Sequence, residues 1–363
     1  AEAALAGEPR PLSQEELAAY KDAGYVFVRG LVPECLADVL REQVIHPGLK
    51  MERGFDVGDP TTWGKGGLAR QALSWYEKLV TLLGSESPYY GARMNFGRAL
   101  QRECRGDLTA AEFDLLERAW SLANAAASRR LRVVLDQLAG HGAYGFDAGA
   151  EVLKRSLHAR FALPVKDPRP YWMLFRWPLF GWHIDGAWHV HFLGKQVESR
   201  GSRQVKPALV CVMMLAWNRT LPRGGMTGVI RGSHRGVMRT LISARRWGGI
   251  SNLWLLIRQS LFGGSASDPV ADAPGGVMRA GDLLVMHPYL VHSSARNHQD
   301  TVRLGGHLFF KYHHPMDEEQ ILEFCRRQEG GTRRGDPLPA NTELLLQGLR
   351  PLDSSCSSIS SSA

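Results

Sequence analysis

The sequence predicts a mainly β fold with flanking helices, built around a jelly-roll core. Three observations lead there. In the second half of the chain, residues 171–177, 205–217, 225–230, 282–286 and 302–313 form apolar or alternating runs bounded by Gly and Pro, as sheet strands do. Before residue 150 the apolar spacing is instead helical, so the strands first dominate from Pro170 onward. The 363 residues are 44% hydrophobic, which is ample for a packed core. The expected layout is one domain over 1–363, with mainly helical support over 12–150 and the jelly-roll core over 170–314. An insertion over 241–262 and a Ser-rich, disordered tail over 354–363 complete it.

The elements follow in order. Ser13 is a good N-cap with Glu16 three residues later, a capping box for a helix that Gly24 would end. Tyr25 to Val28 reads as a short strand. Pro33 suits the first turn of another helix, with Leu36, Val39 and Leu40 on one face and a stop at Pro47. Residues 54–67 are rich in Gly, Asp and Pro and read as a loop. Two further helices are expected, Leu68 to Leu83 and Thr109 to Leu138. The second spaces Phe113, Leu116, Trp120, Leu131, Val134, Leu135 and Leu138 along one face, with Gly140 to finish it. Between the later strands, 241–262 carries Trp247 and Trp254 and can form an amphipathic helix, either a lid or a cover for the sheet.

The stretch Gly181-Trp182-His183-Ile184-Asp185-Gly186 carries the chemistry. On an extended backbone residues two apart share a face, so His183 and Asp185 can reach one metal. A lone His-x-Asp is explained at least as well by a surface hydrogen bond. A second segment raises its weight: the strand-like run from Gly281 to His292 delivers another imidazole. Two histidines and a carboxylate make the facial triad of non-heme Fe(II) oxygenases, with positions left for a co-substrate and dioxygen. Arg303 lies eleven residues after His292, across a polar turn, where a returning strand would bring it back beside the metal.

Other segments carry a family resemblance. Gly225-Met226-Thr227-Gly228-Val229-Ile230-Arg231-Gly232-Ser233-His234-Arg235 resembles the Asn-Gly-x-x-x-Val-x-Pro-Gly-Ser-His segment of phytanoyl-CoA dioxygenase-like (PhyH-like) enzymes. Gly281-Asp282 through His292-Ser293-Ser294, with Asn297 and Arg303 at the expected offsets, is similar to that family's distal-histidine segment. Leu12 to Leu17 and Gly24 to Gly30 resemble its opening. Arg231 stands where the family usually has proline, and Thr227-Gly228 is smaller than usual.

The resemblance implies a double-stranded β-helix, the cupin-like jelly-roll, and a single catalytic domain. It also implies an Fe(II)- and 2-oxoglutarate-dependent dioxygenase. 2-Oxoglutarate would chelate iron held by His183, Asp185 and His292, its distal carboxylate paired with Arg303, whose planar fork suits it. Ser294 and Asn297 would hydrogen-bond near the co-substrate. Dioxygen would take the last position, and oxidative decarboxylation would release succinate and CO₂ while a substrate C–H is hydroxylated. In related halogenases a small residue replaces the carboxylate ligand; Asp185 is present, which points to oxygenation.

The remaining candidates carry blander readings. His189 and His191 suit ordinary strand hydrogen bonds, His287 would point to the opposite face from His292, and His234 would hold a turn. His313 and His314 end the last strand. Arg176 and Arg296 are the next arginines to consider as co-substrate anchors. Met173, Phe175, Trp182 and Trp188 flank the metal motif and suit a substrate pocket or simple core packing.

Bulk properties narrow the class further. The five cysteines are scattered and odd in number, which indicates neither a disulfide framework nor a zinc site and fits a reducing compartment. No apolar stretch approaches the ~20 residues of a spanning helix, so an intracellular, cytoplasmic protein is expected. The absence of an initiator methionine leaves organelle import open. The net charge of +8 would attract phosphate-bearing partners, from coenzyme A thioesters to nucleic acid, or simply aid solubility. The expected partner is a small-molecule or lipid-like substrate, and Arg231, Arg235 and Arg239 would suit an anionic one. A nucleic-acid-modifying oxygenase and a non-catalytic jelly-roll binding protein are the competing readings; oligomeric state is not legible.

Overall fold

The computed structural model describes residues 9–62, 93–95, 109–139, 152–153, 158–162, 184, 209–237, 266–295 and 297–311. Helix α1 (Gln14–Ala23) opens with the expected capping box: the Ser13 hydroxyl accepts from Glu16 N–H, and the Glu16 carboxylate takes the Ser13 N–H at 2.7 Å. It stops at Gly24, whose φ of 85° is the left-handed conformation that glycine adopts without strain. Strand β1 (Tyr25–Val28) follows directly.

The next helix departs from expectation. Helix α2 (Glu34–Leu40) does not stop at Pro47 but continues through a π-helical turn, Arg41–Ile45, into α3 (His46–Arg53), which ends at left-handed Gly54. An α-helical Pro47 would lack a donor and press its ring on the carbonyl four residues back; the widened turn just before it relieves that overlap. The buried face is Leu36, Ala37, Leu40, Val44, Ile45 and Leu49, whereas Val39 is exposed and drops out of the expected stripe. The loop after Gly54 contains a short 3₁₀ turn at Pro60–Thr62. Helix α4 (Ala110–Ala139) matches the expected long helix, with Leu116, Trp120, Leu131, Val134 and Leu135 buried. The helix over 68–83, the strand over 171–177, the insertion 241–262, the tail 354–363, Arg239 and the histidines at 189, 191, 313 and 314 lie outside the described residues.

Two antiparallel sheets form the core among the described residues. The larger has six strands in the order β1-β7-β4-β9-β3-β2, where β2 is Arg93–Asn95, β3 His158–Ala162, β4 Leu209–Ala216, β7 Leu283–Met286 and β9 Arg303–Lys311. The smaller has three, β6 (Ala266–Ser267), β5 (Thr227–Ile230) and β8 (His292–Ser294), in that order. Between β6 and β7, helix α5 (Pro269–Asp272) is capped by Asp268. The large sheet is not confined to 170–314: β1, β2 and β3 all precede that range.

Alternation along the strands separates two apolar clusters. Val26, Val28, Cys211, Met213, Leu215, Leu283, Val285, Leu304, Leu308 and Phe310 face the helices, packing with Leu40, Ile45, Leu131 and Leu135. Tyr25, Phe27, Val212, Met214, Ala216, Leu284 and Met286 face the other way and meet Met226, Val229 and Leu290 from the side of the small sheet. Each fully buried aliphatic side chain contributes about 1.5–3 kcal/mol. On β9 the residues between Leu304 and Leu308 alternate likewise, which puts Arg303, Gly305 and His307 on the face toward the small sheet.

Candidate active site

The run from Gly281 to His292 is not one strand. It forms β7 in the large sheet, turns at 287–290, where Leu290 N–H donates to the His287 carbonyl, and enters the small sheet as β8. Pro288 removes a ladder donor immediately after β7, which favours this break. His292 therefore reaches the site from the small sheet, opposite Val229 of β5 in the register, and Ser294 pairs with Thr227. Directly opposed residues share a face, so His292 lies on the Val229 side, toward the core between the sheets.

The backbone around His292 is held from several sides. Val291 N–H donates to the buried Ser233 hydroxyl at 2.9 Å, and its carbonyl accepts from Ile230 N–H at 2.9 Å. The His292 ring is buried, and its Nδ1 lies 2.9 Å from the Leu290 carbonyl. A carbonyl can only accept, so Nδ1 carries a proton, and Nε2 is the nitrogen left to offer a lone pair when the ring acts as a ligand. This is the orientation a metal-ligating imidazole takes when its other nitrogen is anchored by the protein. The donor chemistry of His292 fits an iron ligand. His183 and Asp185 lie outside the described residues, and among the described residues no group of three His, Cys, Asp or Glu is placed to hold a metal ion.

Arg303 is the first residue of β9 and sits in the large sheet, so the return from His292 is a crossing between sheets and not a hairpin. Its side chain is buried, with Nη1 3.6 Å from the Met226 sulfur. Met226 directly precedes β5, and its carbonyl accepts from Ala295 N–H just after β8. The guanidinium therefore reaches the strand pair that carries His292. A Cβ at Gly305 would lie 2.7 Å from Arg303 Nη1, so the bare backbone there makes a cradle for the guanidinium.

Asn297 holds the turn that follows β8. Its side-chain Nδ2 donates to the Thr301 carbonyl at 2.6 Å and its Oδ1 accepts from Gln299 N–H at 3.0 Å, so both ends of the amide shape the turn between β8 and β9. Its backbone bridges to Gly224. Arg296 and Arg176 lie outside the described residues. Arg231 pairs with Asp272 at 3.6 Å and Arg235 with Asp22 at 2.9 Å. Both arginines thus already face a carboxylate of the same chain, which weakens their case as receptors for an anionic substrate.

His234 and His287 form a second buried group. His234 Nε2–H donates to the Lys21 carbonyl at the end of α1 at 3.0 Å, in keeping with a turn-holding role. His287 lies on the turn after β7 and accepts from Tyr289 N–H at 3.1 Å; its ring stands 4.9 Å from that of His234. Burial pushes His234 down to about 4 and His287 well below the ordinary histidine value, so both are neutral.

Sequence reasoning missed three residues that shape the site: Asn218, which grips the backbone on both sides of Arg303, Gly305 and Ser233. A glycine inside an apolar strand was the one available signal, since such a residue often marks a close approach.

No family model matches the chain, and no curated protein sequence matches it. Solved structures do show similarity. SnoK, a non-heme alpha ketoglutarate dependent carbocyclase from nogalamycin biosynthesis, has 16% identity and a TM-score of 0.41 over 84% of this chain and 87% of that one. EctD from S. alaskensis with 2-oxoglutarate and 5-hydroxyectoine has 16% identity and a TM-score of 0.37 over 84% and 78%. HygX from Streptomyces hygroscopicus with nickel and 2-oxoglutarate has 12% identity and a TM-score of 0.35 over 84% and 88%. Among the described residues no helix is long and apolar enough to cross a membrane.

Proposed function

We propose that the chain is a non-heme Fe(II)- and 2-oxoglutarate-dependent dioxygenase of the phytanoyl-CoA dioxygenase-like type, with a double-stranded β-helix core, which hydroxylates a C–H of a small-molecule or lipid-like substrate. The observation that carries this reading is the approach of two groups from facing sheets. His292, with Nε2 left to offer a lone pair, comes from the small sheet, and the buried Arg303 guanidinium comes from the large one. A metal ligand and a cationic fork of this kind suit a small dicarboxylate that is held at both ends.

In this reading His292 holds iron through Nε2 while the Leu290 carbonyl keeps the ring from turning. His183 and Asp185 supply the other two ligands. Arg303 takes the distal carboxylate of 2-oxoglutarate, and Ser294, beside His292 on β8, borders the same co-substrate. When bound, iron with 2-oxoglutarate and dioxygen supplies the oxidant that removes hydrogen from the substrate. The balance is R–H + 2-oxoglutarate + O₂ → R–OH + succinate + CO₂. Met214, Met226 and Val229 belong to the buried apolar cluster on the side of the sheets that His292 and Arg303 face.

The test is an anaerobic titration of the protein with Fe(II) and then 2-oxoglutarate, followed by oxygen and a panel of candidate substrates. Succinate formation coupled to a substrate mass gain of one oxygen is the expected result. Failure to bind iron and 2-oxoglutarate would leave a jelly-roll binding protein in place of an enzyme.

A further inference from the structure

We infer that Gly305 is a positioning residue for Arg303: the missing side chain at this step of β9 lets the guanidinium lie along the strand, aimed at a carboxylate. The inference rests on Arg303 being the co-substrate anchor. Residues 303 and 305 are two apart on one strand and share a face. A Cβ at 305 would stand 2.7 Å from Arg303 Nη1 and 3.7 Å from its Cζ, closer to the nitrogen than real Cβ atoms come to any neighbour. The remaining neighbour is the Leu215 carbonyl oxygen at 3.2 Å, a tight contact at which the backbone must give by a few tenths of an ångström.

Glycine is otherwise a poor choice here. It weakens a strand interior through chain entropy and the lack of a side chain to pack. The usual compensation, a left-handed backbone, does not apply, because Gly305 is not among the glycines with positive φ. Its neighbours across the sheet, Ala216 on β4 and Arg160 on β3, are in regular register. What a side chain at 305 would displace first is the tip of Arg303.

Replacing Gly305 with Ala therefore separates two quantities that a structural glycine would move together. Alanine restricts the unfolded chain and, with the Leu215 carbonyl giving way by a few tenths of an ångström, fits a regular strand, so stability should hold or rise. The guanidinium, by contrast, must leave its place, and a misplacement on the order of 1 Å is enough to spoil an oriented contact.

The experiment is a double-mutant cycle over wild type, Gly305→Ala, Arg303→Ala and the double variant. Two readouts are taken without turnover: the dissociation constant of 2-oxoglutarate for Mn(II)-loaded protein by calorimetry, and the urea midpoint without ligand. Gly305→Ala should weaken 2-oxoglutarate binding by about tenfold, as expected for coupled neighbours, with no loss in midpoint and no further weakening in the Arg303→Ala background. Wild-type affinity in Gly305→Ala, an equal loss with or without Arg303, or a lowered urea midpoint that accounts for the loss would each overturn it. Wild-type affinity in Arg303→Ala alone would overturn the anchor reading itself, a failure visible in its own arm of the cycle.

Discussion

Asn218 and Leu304 are joined across the strand ends: the Asn218 Oδ1 accepts from Leu304 N–H at 2.9 Å, while its Nδ2 donates to the Val302 carbonyl at 2.7 Å. The one amide thus holds the backbone on both sides of Arg303. Strand ends fray because their last backbone groups lack ladder partners, and Asn218 supplies those partners where β9 begins. Replacing Asn218 with Ala would strand both groups, at a cost of about 1–3 kcal/mol each where they are buried. It should also loosen Arg303 and weaken 2-oxoglutarate binding. Urea unfolding and calorimetry check the two effects; unchanged values in both would show that β9 needs no such clasp.

The metal assignment has its own test. His292→Ala removes the imidazole whose Nδ1 is held by Leu290, and bound Fe(II) per chain should fall sharply in anaerobic equilibrium dialysis. Ala at His183 or Asp185 should do the same if these complete the triad. Iron binding at the wild-type level in His292→Ala would show that the third ligand lies elsewhere.

A third prediction concerns the frame that carries β7 toward the site. Gly281 has φ +83°, and a Cβ there would lie 1.9 Å from the Val32 carbonyl oxygen. Beside it, buried Asp282 accepts from Gly30 N–H and Arg279 N–H, both at 2.8 Å, and forms an ion pair with Arg29. Gly281→Ala should cost about 3 kcal/mol or more, since left-handed strain and overlap add. Gly30 is a matched control, with φ +59° and nothing within 4 Å of its Cβ position. Gly30→Ala should cost only about 1–2 kcal/mol, the left-handed strain alone. Equal unfolding midpoints for the two variants would refute the close approach.

The parts of the fold legible in the sequence were those set by local rules. The Ser13–Glu16 capping box, the Gly24 stop, β1, the long helix before Gly140 and the cores of β4, β5, β7 and β9 follow from side-chain chemistry within a few residues. The π-turn before Pro47 was not legible, because helical periodicity assumes uniform winding. Nor was the division of Gly281–His292 between two sheets: both halves are apolar, and composition does not say which neighbour a strand will choose. Short β2, β6 and β8 carry too few residues to show alternation, and β3, His-Ala-Arg-Phe-Ala, holds no apolar run to mark it. At the site, His292 and Arg303 stood out as chemical groups, whereas Asn218 and Ser233 act through hydrogen bonds to backbone distant in sequence, which leaves no local pattern.

The last prediction follows from His234 and His287. Burial is the main cause of both lowered values; Arg235 adds to the first and the neighbouring His234 to the second, while the Lys21 carbonyl and Asp22 partly oppose it at His234. The rings of Tyr20 and Tyr289 complete the surroundings of His287, at 6.0 and 5.6 Å. The folded protein keeps both histidines neutral, whereas in the unfolded chain they take up a proton near pH 6.5. Their contribution to stability is therefore full above about pH 6.5 and is lost as the pH falls, for His234 between about 6.5 and about 4 and for His287 further down. At ~1.4 kcal/mol per pH unit, the loss attributable to His234 is on the order of 3 kcal/mol. His234→Gln keeps an N–H for the Lys21 carbonyl but cannot titrate, so its urea stability should fall less steeply than wild type between pH 7 and pH 4.5. Parallel pH profiles for the two proteins would remove His234 from the acid response.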